Sequence, residues 1–253
     1  MMITIKSPRE IERMRQAGKI AAAARSAGSR MVRPGVTTEE IDQAIRECIL
    51  SCGASPTFLH YGGFPKNACI SVNDEVIHGI PGNRVIREGD IVSLDVGATY
   101  KGYVGDCAGT FPAGEVTPEA KELIRVTRQS FFEGIRYARA GCRLWDISRA
   151  IQKYAQAHGY SLVREYVGHG VGENLHEDPE VPNYVPEGGR NPRLIPGMTL
   201  AIEPMVNAGG PGVRVLSNQW TVVTLDGALS AHYENTVLIT NGDPEILTIA
   251  DDL

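Results

Sequence analysis

Two aspartates stand in a stretch whose pattern otherwise indicates a pair of strands. SLDVGATYKGYVGD (93–106) alternates apolar residues, turns near Lys101 and Gly102 and returns, with Asp95 in the first arm and Asp106 closing the second. Aspartate is depleted in strands, and a buried carboxylate without a partner is costly. Either a cation lies between the two side chains, or one is a turn residue and the other is solvated. This stretch alone leaves both interpretations open.

Hairpin geometry places the two carboxylates on one face. A turn centred at Tyr100-Lys101 sets Asp95 directly opposite Asp106, whereas a turn centred at Lys101-Gly102 sets them diagonally. Directly opposed Cβ atoms are about 4.5–5.5 Å apart, and the paired metal ions of hydrolases are about 3.5–4 Å apart. The hairpin therefore has a suitable span for two metal ions.

Three further stretches each hold one candidate ligand. His169 lies among glycines in GHGVG, Glu203 interrupts the apolar run LAIEPMV, and Glu234 heads the apolar run ENTVLI. A single His is more often a core or surface residue than a ligand, and a Glu at a strand end is usually solvated. With Asp95 and Asp106, however, the set has a formal charge of −4, which two divalent cations would neutralise. Such an oxygen-rich set with one imidazole favours Mn, Fe or Co over a thiolate-type zinc site.

Composition excludes some classes of function. The chain has 253 residues, of which 42% are hydrophobic, and a net charge of −5. It is long enough for a sizeable core, and it lacks the basic runs that indicate nucleic-acid binding. No apolar stretch is long enough to span a bilayer, and the first residues lack the apolar core of a signal peptide. The five cysteines are odd in number and form no disulfide framework. We therefore expect a cytoplasmic protein.

The order of predicted elements suggests an internal duplication. Two helices followed by short strands come before Phe111, and the same order resumes at Thr117. We predict one α+β domain with pseudo-repeat halves at about 5–113 and 114–249, a mixed or antiparallel sheet and helices on one side of it. The predicted helices run from Ser7-Pro8 to before Pro34-Gly35, from Thr37 to about Cys52, from Thr117 to about Arg139, and from Leu144 to His158. The predicted strands are ACISVN, DIVSLDVGATY, GYVGDCAGTF, SLVREYVG, MTLAIEPMV, GVRVLSNQWTVVT and HYENTVLIT.

Two local motifs that suggest other chemistry are rejected. The run beginning at His176 resembles a helical zinc-protease motif, but its second His is missing and Pro179 would break the helix. The glycines around His169 lack the G-x-G-x-x-G spacing of a nucleotide loop, and no helical pattern follows them. These glycines are better explained by a close approach of the backbone to a ligand or metal.

In combination, five stretches of the sequence resemble the type I methionine aminopeptidases, in their short bacterial form. The likeness runs from Ile5 to about Ile249. The stretches are NACISVNDEVIHGIPG (67–82), DIVSLDVGATYKGYVGDCAGTF (90–111), GHGVGENLHEDPEVPNY (168–184), GMTLAIEPMVNAGG (197–210) and HYENTVLIT (232–240). The resemblance implies the pita-bread (creatinase/aminopeptidase) fold, with two pseudo-symmetric halves around a central, mostly antiparallel sheet.

The resemblance also implies a metal centre with two divalent ions, which would be Co, Mn, Fe or Zn. Asp95 would chelate one ion and His169 would bind the other. Asp106 and Glu234 would bridge both ions, and Glu203 would complete the shell of the second.

The implied activity is the removal of the N-terminal methionine from nascent proteins and peptides, with a preference for a small second residue. A metal-bridged hydroxide would attack the first carbonyl, while the α-amine binds on the Asp95 side and Glu203 passes a proton to the leaving amine. His176 would stabilise the oxyanion and His78 would position the scissile bond. The candidates for the methionine pocket are Tyr61, Phe64, Cys69, Leu175 and Trp220. The family role implies action near the ribosome. We also expect a monomer with no membrane or direct nucleic-acid partner.

Three rival functions fit some of these residues. A proline-cleaving peptidase of the same fold usually carries a separate N-terminal domain, for which we expect no room before the helix that begins near residue 8. A binding module that has lost catalysis is disfavoured, because all five ligand positions are intact. A di-metal phosphoesterase would need basic residues or a phosphate loop near the ligands, and the sequence offers neither.

Overall fold

The α-helices come in two consecutive pairs in the computed structural model, which describes residues 3–249. They are α1 (Pro8–Ser29), α2 (Thr38–Ser51), α3 (Pro118–Ile135) and α4 (Leu144–Ala157). The first two begin where the sequence predicts, because capping residues satisfy their first backbone N–H groups. The Ser7 N–H donates to the Glu10 carboxylate at 2.6 Å, and the Thr37 N–H donates to the Glu40 carboxylate at 2.7 Å. No helix among the described residues is long and apolar enough to cross a membrane.

The strands of the described chain are short apart from one long hairpin. They are β1 (Ser55–Pro56), β2 (Cys69–Val72), β3 (Glu75–Ile77), β4 (Ile91–Tyr100), β5 (Tyr103–Pro112), β6 (Ser161–Leu162), β7 (Gly168–Gly170), β8 (Glu177–Val181), β9 (Thr199–Ile202), β10 (Met205–Asn207), β11 (Val213–Val215), β12 (Val222–Thr224), β13 (Ser230–His232), β14 (Asn235–Leu238) and β15 (Glu245–Ile246). One sheet has the order β1-β4-β2, with β5 also paired to β4, and another has the order β15-β14-β9-β7-β8. Two three-stranded sheets have the orders β13-β10-β6 and β11-β12-β3. Every pairing between these strands is antiparallel.

Strand β5 joins the first sheet to the strands of the second half of the chain. Ala108 and Glu234 exchange both backbone hydrogen bonds, at 3.2 and 3.1 Å. The Thr236 hydroxyl accepts from the Asp106 N–H and donates to the Asp106 carbonyl. The strands that follow the two helix pairs therefore meet along β5.

Helix α1 rests directly on the backbone of β5. A Cβ atom added at Gly105 would lie 2.5 Å from the Gly18 Cα, so that only glycine permits this approach. Because side chains alternate along a strand, Asp106 points away from α1 on the opposite face. Helix α3 lies beside α1, and the two helices share the walls of one cavity.

Separate apolar clusters lie under the two helix pairs. One cluster packs Ile41 and Ile45 of α2 against Leu94 of β4. The other packs Phe131 of α3 and Ile147 of α4 against strands of the second half. These clusters fix the strands whose polar residues form the site described below.

Some elements differ from the sequence prediction. Helix α3 ends at Ile135, before the predicted Arg139, because the chain tightens into a turn and the Ala140 N–H then donates to the Thr240 carbonyl. The predicted strand SLVREYVG is interrupted and contributes only β6 and the start of β7. Strands β3 and β8 were not predicted, since their sequences EVI and EDPEV lack a clear alternation of apolar and polar residues.

Candidate metal centre

The β4–β5 hairpin brings Asp95 and Asp106 to one face. Asp95 pairs with Ala108, and Asp106 pairs with Gly97, so the two carboxylates stand diagonally. The turn falls at Lys101 and Gly102, which both have positive φ, as the tight turn of a two-residue hairpin requires. Of the two registers that the sequence leaves open, the structure therefore has the diagonal one.

Adjacent strands of the second sheet carry the other three candidate ligands. His169 lies on β7 opposite Ala201 of β9. Ile202, the last residue of β9, pairs with Asn235, the first residue of β14. Glu203 and Glu234 therefore occupy the next step of the same antiparallel register and face each other where the two strands part.

All the site residues predicted from the sequence line one cleft with a volume of about 170 Å³. It contains the five candidate ligands, the two further histidines and the five candidates for the methionine pocket. Four lining residues were not predicted. The predicted ones are Asp95, Asp106, His169, Glu203, Glu234, His78, His176, Tyr61, Phe64, Cys69, Leu175 and Trp220; the others are Phe58, Ile77, Tyr166 and Val167.

His169 presents a free ring nitrogen to the carboxylates. Its Nδ1 lies 2.9 Å from the Gly170 carbonyl, which fixes the proton there and leaves Nε2 as an electron-pair donor. This Nε2 is 3.5 Å from Glu203 Oε1 and 3.8 Å from Asp106 Oδ2. Three donor atoms, one each from Asp106, His169 and Glu234, lie within 4.8 Å of one another. Such spacing fits donors that share a metal ion.

The carboxylates of the cleft lack the positive partners that buried acids need. Asp95 Oδ1, Asp106 Oδ1 and Glu234 Oε1 are buried without a hydrogen-bond partner among the described residues. Burial raises the pKa of Asp95 to about 7. Burial and the neighbouring carboxylates also raise the pKa values of Asp106, Glu203 and Glu234 well above the ordinary range. The donor set therefore fits a pair of divalent cations, which would satisfy the orphaned oxygens and offset the repulsion.

Two histidines stand at the rim of the carboxylate cluster. The Tyr61 hydroxyl lies 2.7 Å from His176 Nδ1, and the His176 ring centroid lies 4.2 Å from that of His169. His78 has a φ of 58°, a left-handed conformation that is uncommon outside glycine. Burial lowers the pKa of His78 to about 4, so this imidazole is neutral at physiological pH. Both rings are placed to contact a ligand in the cleft.

One side of the cleft is apolar and aromatic. Phe64 and Trp220 meet edge to face, with ring centroids 5.1 Å apart. Cys69 and Leu175 belong to the same apolar cluster, together with Phe58. Aromatic rings and sulfur form a polarisable surface that suits an unbranched apolar side chain.

His232 was not predicted as a site residue from the sequence. This residue is buried, and its Nε2 lies 3.7 Å from Glu203 Oε2 and 4.0 Å from Glu234 Oε2. Burial lowers its pKa to about 3. The signal in the sequence was its spacing, because residues i and i+2 of a strand share a face and His232 precedes Glu234 by two.

Comparison with known proteins places this centre in a family. The model of metallopeptidase family M24 matches residues 12–241. The methionine aminopeptidase of Clostridium acetobutylicum is 54% identical over 251 residues, which cover 99% of this chain and 100% of that protein. The chain belongs to the methionine aminopeptidase family. As a member of a metallopeptidase family, it binds divalent metal.

Solved structures agree with this family membership. The methionine aminopeptidase of Thermotoga maritima has a TM-score of 0.94 and 46% identity, over 98% of this chain and 100% of that one. The Xaa-Pro dipeptidase of Bacillus anthracis has a TM-score of 0.77 and 25% identity, over 96% of this chain and 61% of that one. The fold is thus the pita-bread fold of the methionine aminopeptidase family, as the sequence predicts.

Proposed function

We propose that the chain removes N-terminal methionine from peptides and nascent proteins, with two divalent metal ions in the cleft. The observation that carries this proposal is the meeting of the buried Asp106, Glu203 and Glu234, the half-buried Asp95 and His169 beside an apolar pocket. The family membership supports the same activity. The prolidase-type alternative has less support, because the similarity to the Xaa-Pro dipeptidase is lower in both identity and TM-score.

The proposed ligand sets divide the donors between two ions. Asp95 would hold the first ion and His169 the second, while Asp106 and Glu234 would contribute to both and Glu203 would complete the second set. The four carboxylates carry a formal charge of −4, which two divalent ions balance. When bound, the ions supply Lewis acidity for the scissile carbonyl and make water more acidic. Oxygen-rich donors favour Mn, Fe or Co, and Zn is the further candidate.

The chain's own groups then act on the substrate. A free α-amine lies on the Asp95 side, where it meets negative charge; an internal peptide bond or an acetylated terminus offers no such amine. Glu203 accepts a proton from the attacking water and passes it to the leaving amine. Glu203 lines the cleft, with its Oε1 3.5 Å from His169 Nε2, and a carboxylate in that place is suited to general base and acid catalysis.

The two histidines have separate proposed roles. Because the Tyr61 hydroxyl engages His176 Nδ1, His176 Nε2 is left to donate a hydrogen bond to the oxygen of the tetrahedral intermediate. His78, packed edge-on against Tyr166 with ring centroids 5.9 Å apart, positions the scissile bond.

The apolar wall is the proposed methionine pocket. Tyr61, Phe64, Cys69, Leu175 and Trp220 surround a space that suits one unbranched side chain. A thioether makes favourable contacts with aromatic rings, about 0.3–1.5 kcal/mol each. The limited cleft volume agrees with the proposed preference for a small second residue.

The proposed setting follows the family role. The chain is expected to work as a monomer on nascent chains near the ribosome, in the cytoplasm. The described cysteines are free, as is usual in a reducing compartment. We further propose that the pseudo-repeat halves, 5–113 and 114–249, form one catalytic domain, since each contributes a helix pair and ligand-bearing strands.

A peptide assay tests the proposed function. Metal-stripped protein is mixed with Met-Ala-Ser or its acetylated form, and Mn, Fe, Co or Zn is added back. Methionine release is expected only from the unblocked peptide and only with metal. Glu203→Gln should abolish release, whereas Glu187→Gln, on an exposed loop, should not. Release from the acetylated peptide, or full activity of Glu203→Gln, would overturn the proposal.

A further inference from the structure

Arg25 of α1 is a buried cation without an acidic partner. The residue is 5% exposed, and its side chain donates from Nη1 to the carbonyls of Ala108 and Glu234. In the part of the chain that the structure describes, Nε and Nη2 have no hydrogen-bond partner, and the ion pairs do not include Arg25. A buried charge is costly unless an opposite charge compensates for it. The guanidinium therefore has donors to spare for an anion.

Arg25 lines the cavity of about 140 Å³ that α1, β5 and α3 enclose. Phe111, Ile124 and Tyr233 also line this cavity and give it apolar walls. None of the described residues that line it is Asp or Glu, although the chain as a whole has a net charge of −5. The cavity therefore combines positive charge with an apolar surface, and no carboxylate of its own walls neutralises that charge.

Gly109 of β5 leaves room for this cavity. Because side chains alternate along a strand, position 109 faces α1, as Gly105 does. A Cβ atom added at Gly109 would lie 3.2 Å from Phe111 Cζ and 3.8 Å from Arg25 Cδ. A larger side chain at this position would therefore enter the space beside Phe111 and Arg25. With glycine there, the stem of Arg25 borders open space in place of a packed neighbour.

A second arginine borders the cavity from the exposed surface of α3. The Cζ atom of Arg128 lies 5.2 Å from the ring centroid of Phe132 and 6.0 Å from that of Tyr233. These cation–π contacts hold the guanidinium beside the cavity wall, and Arg128 makes no ion pair with a described carboxylate. By contrast, Arg125 on the same helix pairs with Glu122 at 2.6 Å and does not line the cavity. Both arginines of the cavity are thus free to bind an anion.

The two guanidinium groups and the apolar walls define the chemical class of the ligand. A guanidinium presents its N–H donors in a fork that matches a carboxylate or a phosphate. An engineered apolar cavity of about 150 Å³ binds benzene, so this cavity suits a carboxylate on a compact apolar body. Inorganic phosphate is disfavoured, because the apolar walls would strip its water without replacing the hydrogen bonds. A free amino acid is disfavoured as well, because its ammonium group would meet no carboxylate among the described lining residues.

We propose that this cavity is a second binding site, for a small organic carboxylate with an apolar body, held by Arg25 and Arg128. The site is separate from the metal cleft, since none of the five proposed metal ligands lines it. The carboxylate accepts hydrogen bonds from the two guanidinium groups, and the apolar body packs against Phe111 and Ile124. Nη1 of Arg25 stays on the carbonyls of the β5 bridge, so the ligand uses the donors that the protein leaves unpaired.

Titration with benzoate tests the site. Benzoate and its neutral isostere benzamide are titrated by calorimetry into the full-length protein, both loaded with Mn²⁺ and stripped of metal. Benzoate is expected to bind both forms with a Kd of about 1 mM or below, and benzamide should bind at least about tenfold more weakly. Inorganic phosphate and free methionine should not displace benzoate at equal concentration. Absence of benzoate binding, equal binding of benzamide, or displacement by phosphate or methionine would overturn the proposal.

Arginine variants locate the bound carboxylate. Arg128→Gln and Arg25→Gln should each weaken benzoate binding by about tenfold or more. Arg125→Gln is the matched control on α3 and should bind benzoate like the wild type. Melting curves check that the variants fold, and the exposed position of Arg128 keeps its variant informative even if Arg25→Gln does not fold. Benzoate binding that requires metal and is unchanged in Arg128→Gln would place the carboxylate on the metal centre and refute the proposal.

Discussion

Ala108 and Glu234 form a backbone-paired bridge between the two sheets of the site. They exchange both backbone hydrogen bonds, and the Arg25 guanidinium donates to both of their carbonyls, at 2.9 and 3.3 Å. Asp106 lies two residues from Ala108 on the same face of β5. This one pairing therefore sets the spacing of Asp106 and Glu234, the two residues proposed to bridge the metals.

Removal of one carboxylate is predicted to have opposite effects with and without metal. Asp106→Asn should make the metal-free protein more stable to urea at neutral pH, because it relieves repulsion among the buried carboxylates. The same variant should abolish the stabilisation that Mn²⁺ or Co²⁺ gives the wild type. Asp243→Asn, at an exposed position, is the control. It should change neither the stability of the metal-free protein to urea nor the stabilisation by metal. A metal-free Asp106→Asn protein less stable than wild type would contradict this account.

Much of this site was predictable, because its signals are local. Asp95 and Glu203 interrupt apolar runs, and the hairpin pattern of β4 and β5 is strong over twenty residues. The choice between the two hairpin registers could not be predicted from the sequence, because it depends on which residues of the Tyr100–Gly102 segment adopt positive φ. The meeting of Asp106 with Glu234 depends on contacts between residues 130 apart in sequence, which periodicity cannot reveal. His232 escaped notice because a histidine at the head of a strand looks ordinary until its neighbours are known.

The Tyr61 hydroxyl is predicted to orient His176 during catalysis. Tyr61→Phe removes the group 2.7 Å from Nδ1, so kcat for a Met-peptide should fall by about tenfold with a smaller change in KM. Addition of Tyr61→Phe to His176→Ala should cause little further loss, since both changes act through one imidazole. Tyr137→Phe, also an exposed tyrosine, is the matched control. Fully additive losses would show that the hydroxyl acts independently of His176.

Trp220 is predicted to determine selectivity for methionine. Trp220→Ala removes the ring that packs against Phe64, and kcat/KM for Met-peptides should fall about 10–200-fold, the range for lost apolar contacts in a pocket. Metal affinity should stay unchanged, because Trp220 is not among the proposed ligands. The control is Trp145→Ala, outside the cleft. Equal losses of kcat/KM in the two variants would show that Trp220 does not line the methionine pocket.

The ion pair of Lys6 and Glu177 is predicted to stabilise the fold at neutral pH and less so in acid. The pair is 2.6 Å apart and nearly buried. Burial raises the pKa of Glu177, but hydrogen bonds from Lys6, Thr4 and the Asn174 N–H outweigh it and lower the pKa overall. Because the folded pKa lies below the unfolded value of about 4.3, this stability is present above pH 4.3, roughly, and is lost as pH falls through the folded pKa.

Variants of this pair provide the measurement. Lys6→Met leaves Glu177 without its cation and should lower the free energy of unfolding at pH 7 by about 3–5 kcal/mol in urea. The double variant Lys6→Met with Glu177→Gln should recover part of that loss, because no unpaired charge remains. Wild type and Lys6→Met should converge in stability as the pH falls below about 4. A constant difference at all pH values would show that the methylene stem of Lys6, not its charge, stabilises the fold.

Anomalous diffraction shows whether the five separated side chains bind two divalent ions in the cleft. Crystals of the protein soaked in Mn²⁺ are measured on the high-energy side of the Mn absorption edge. We expect two anomalous peaks about 3.5–4 Å apart, both within coordinating distance of Asp106 and Glu234, with Asp95 beside one and His169 beside the other. Peaks only outside the cleft, or a single ion that Asp95 does not touch, would contradict it.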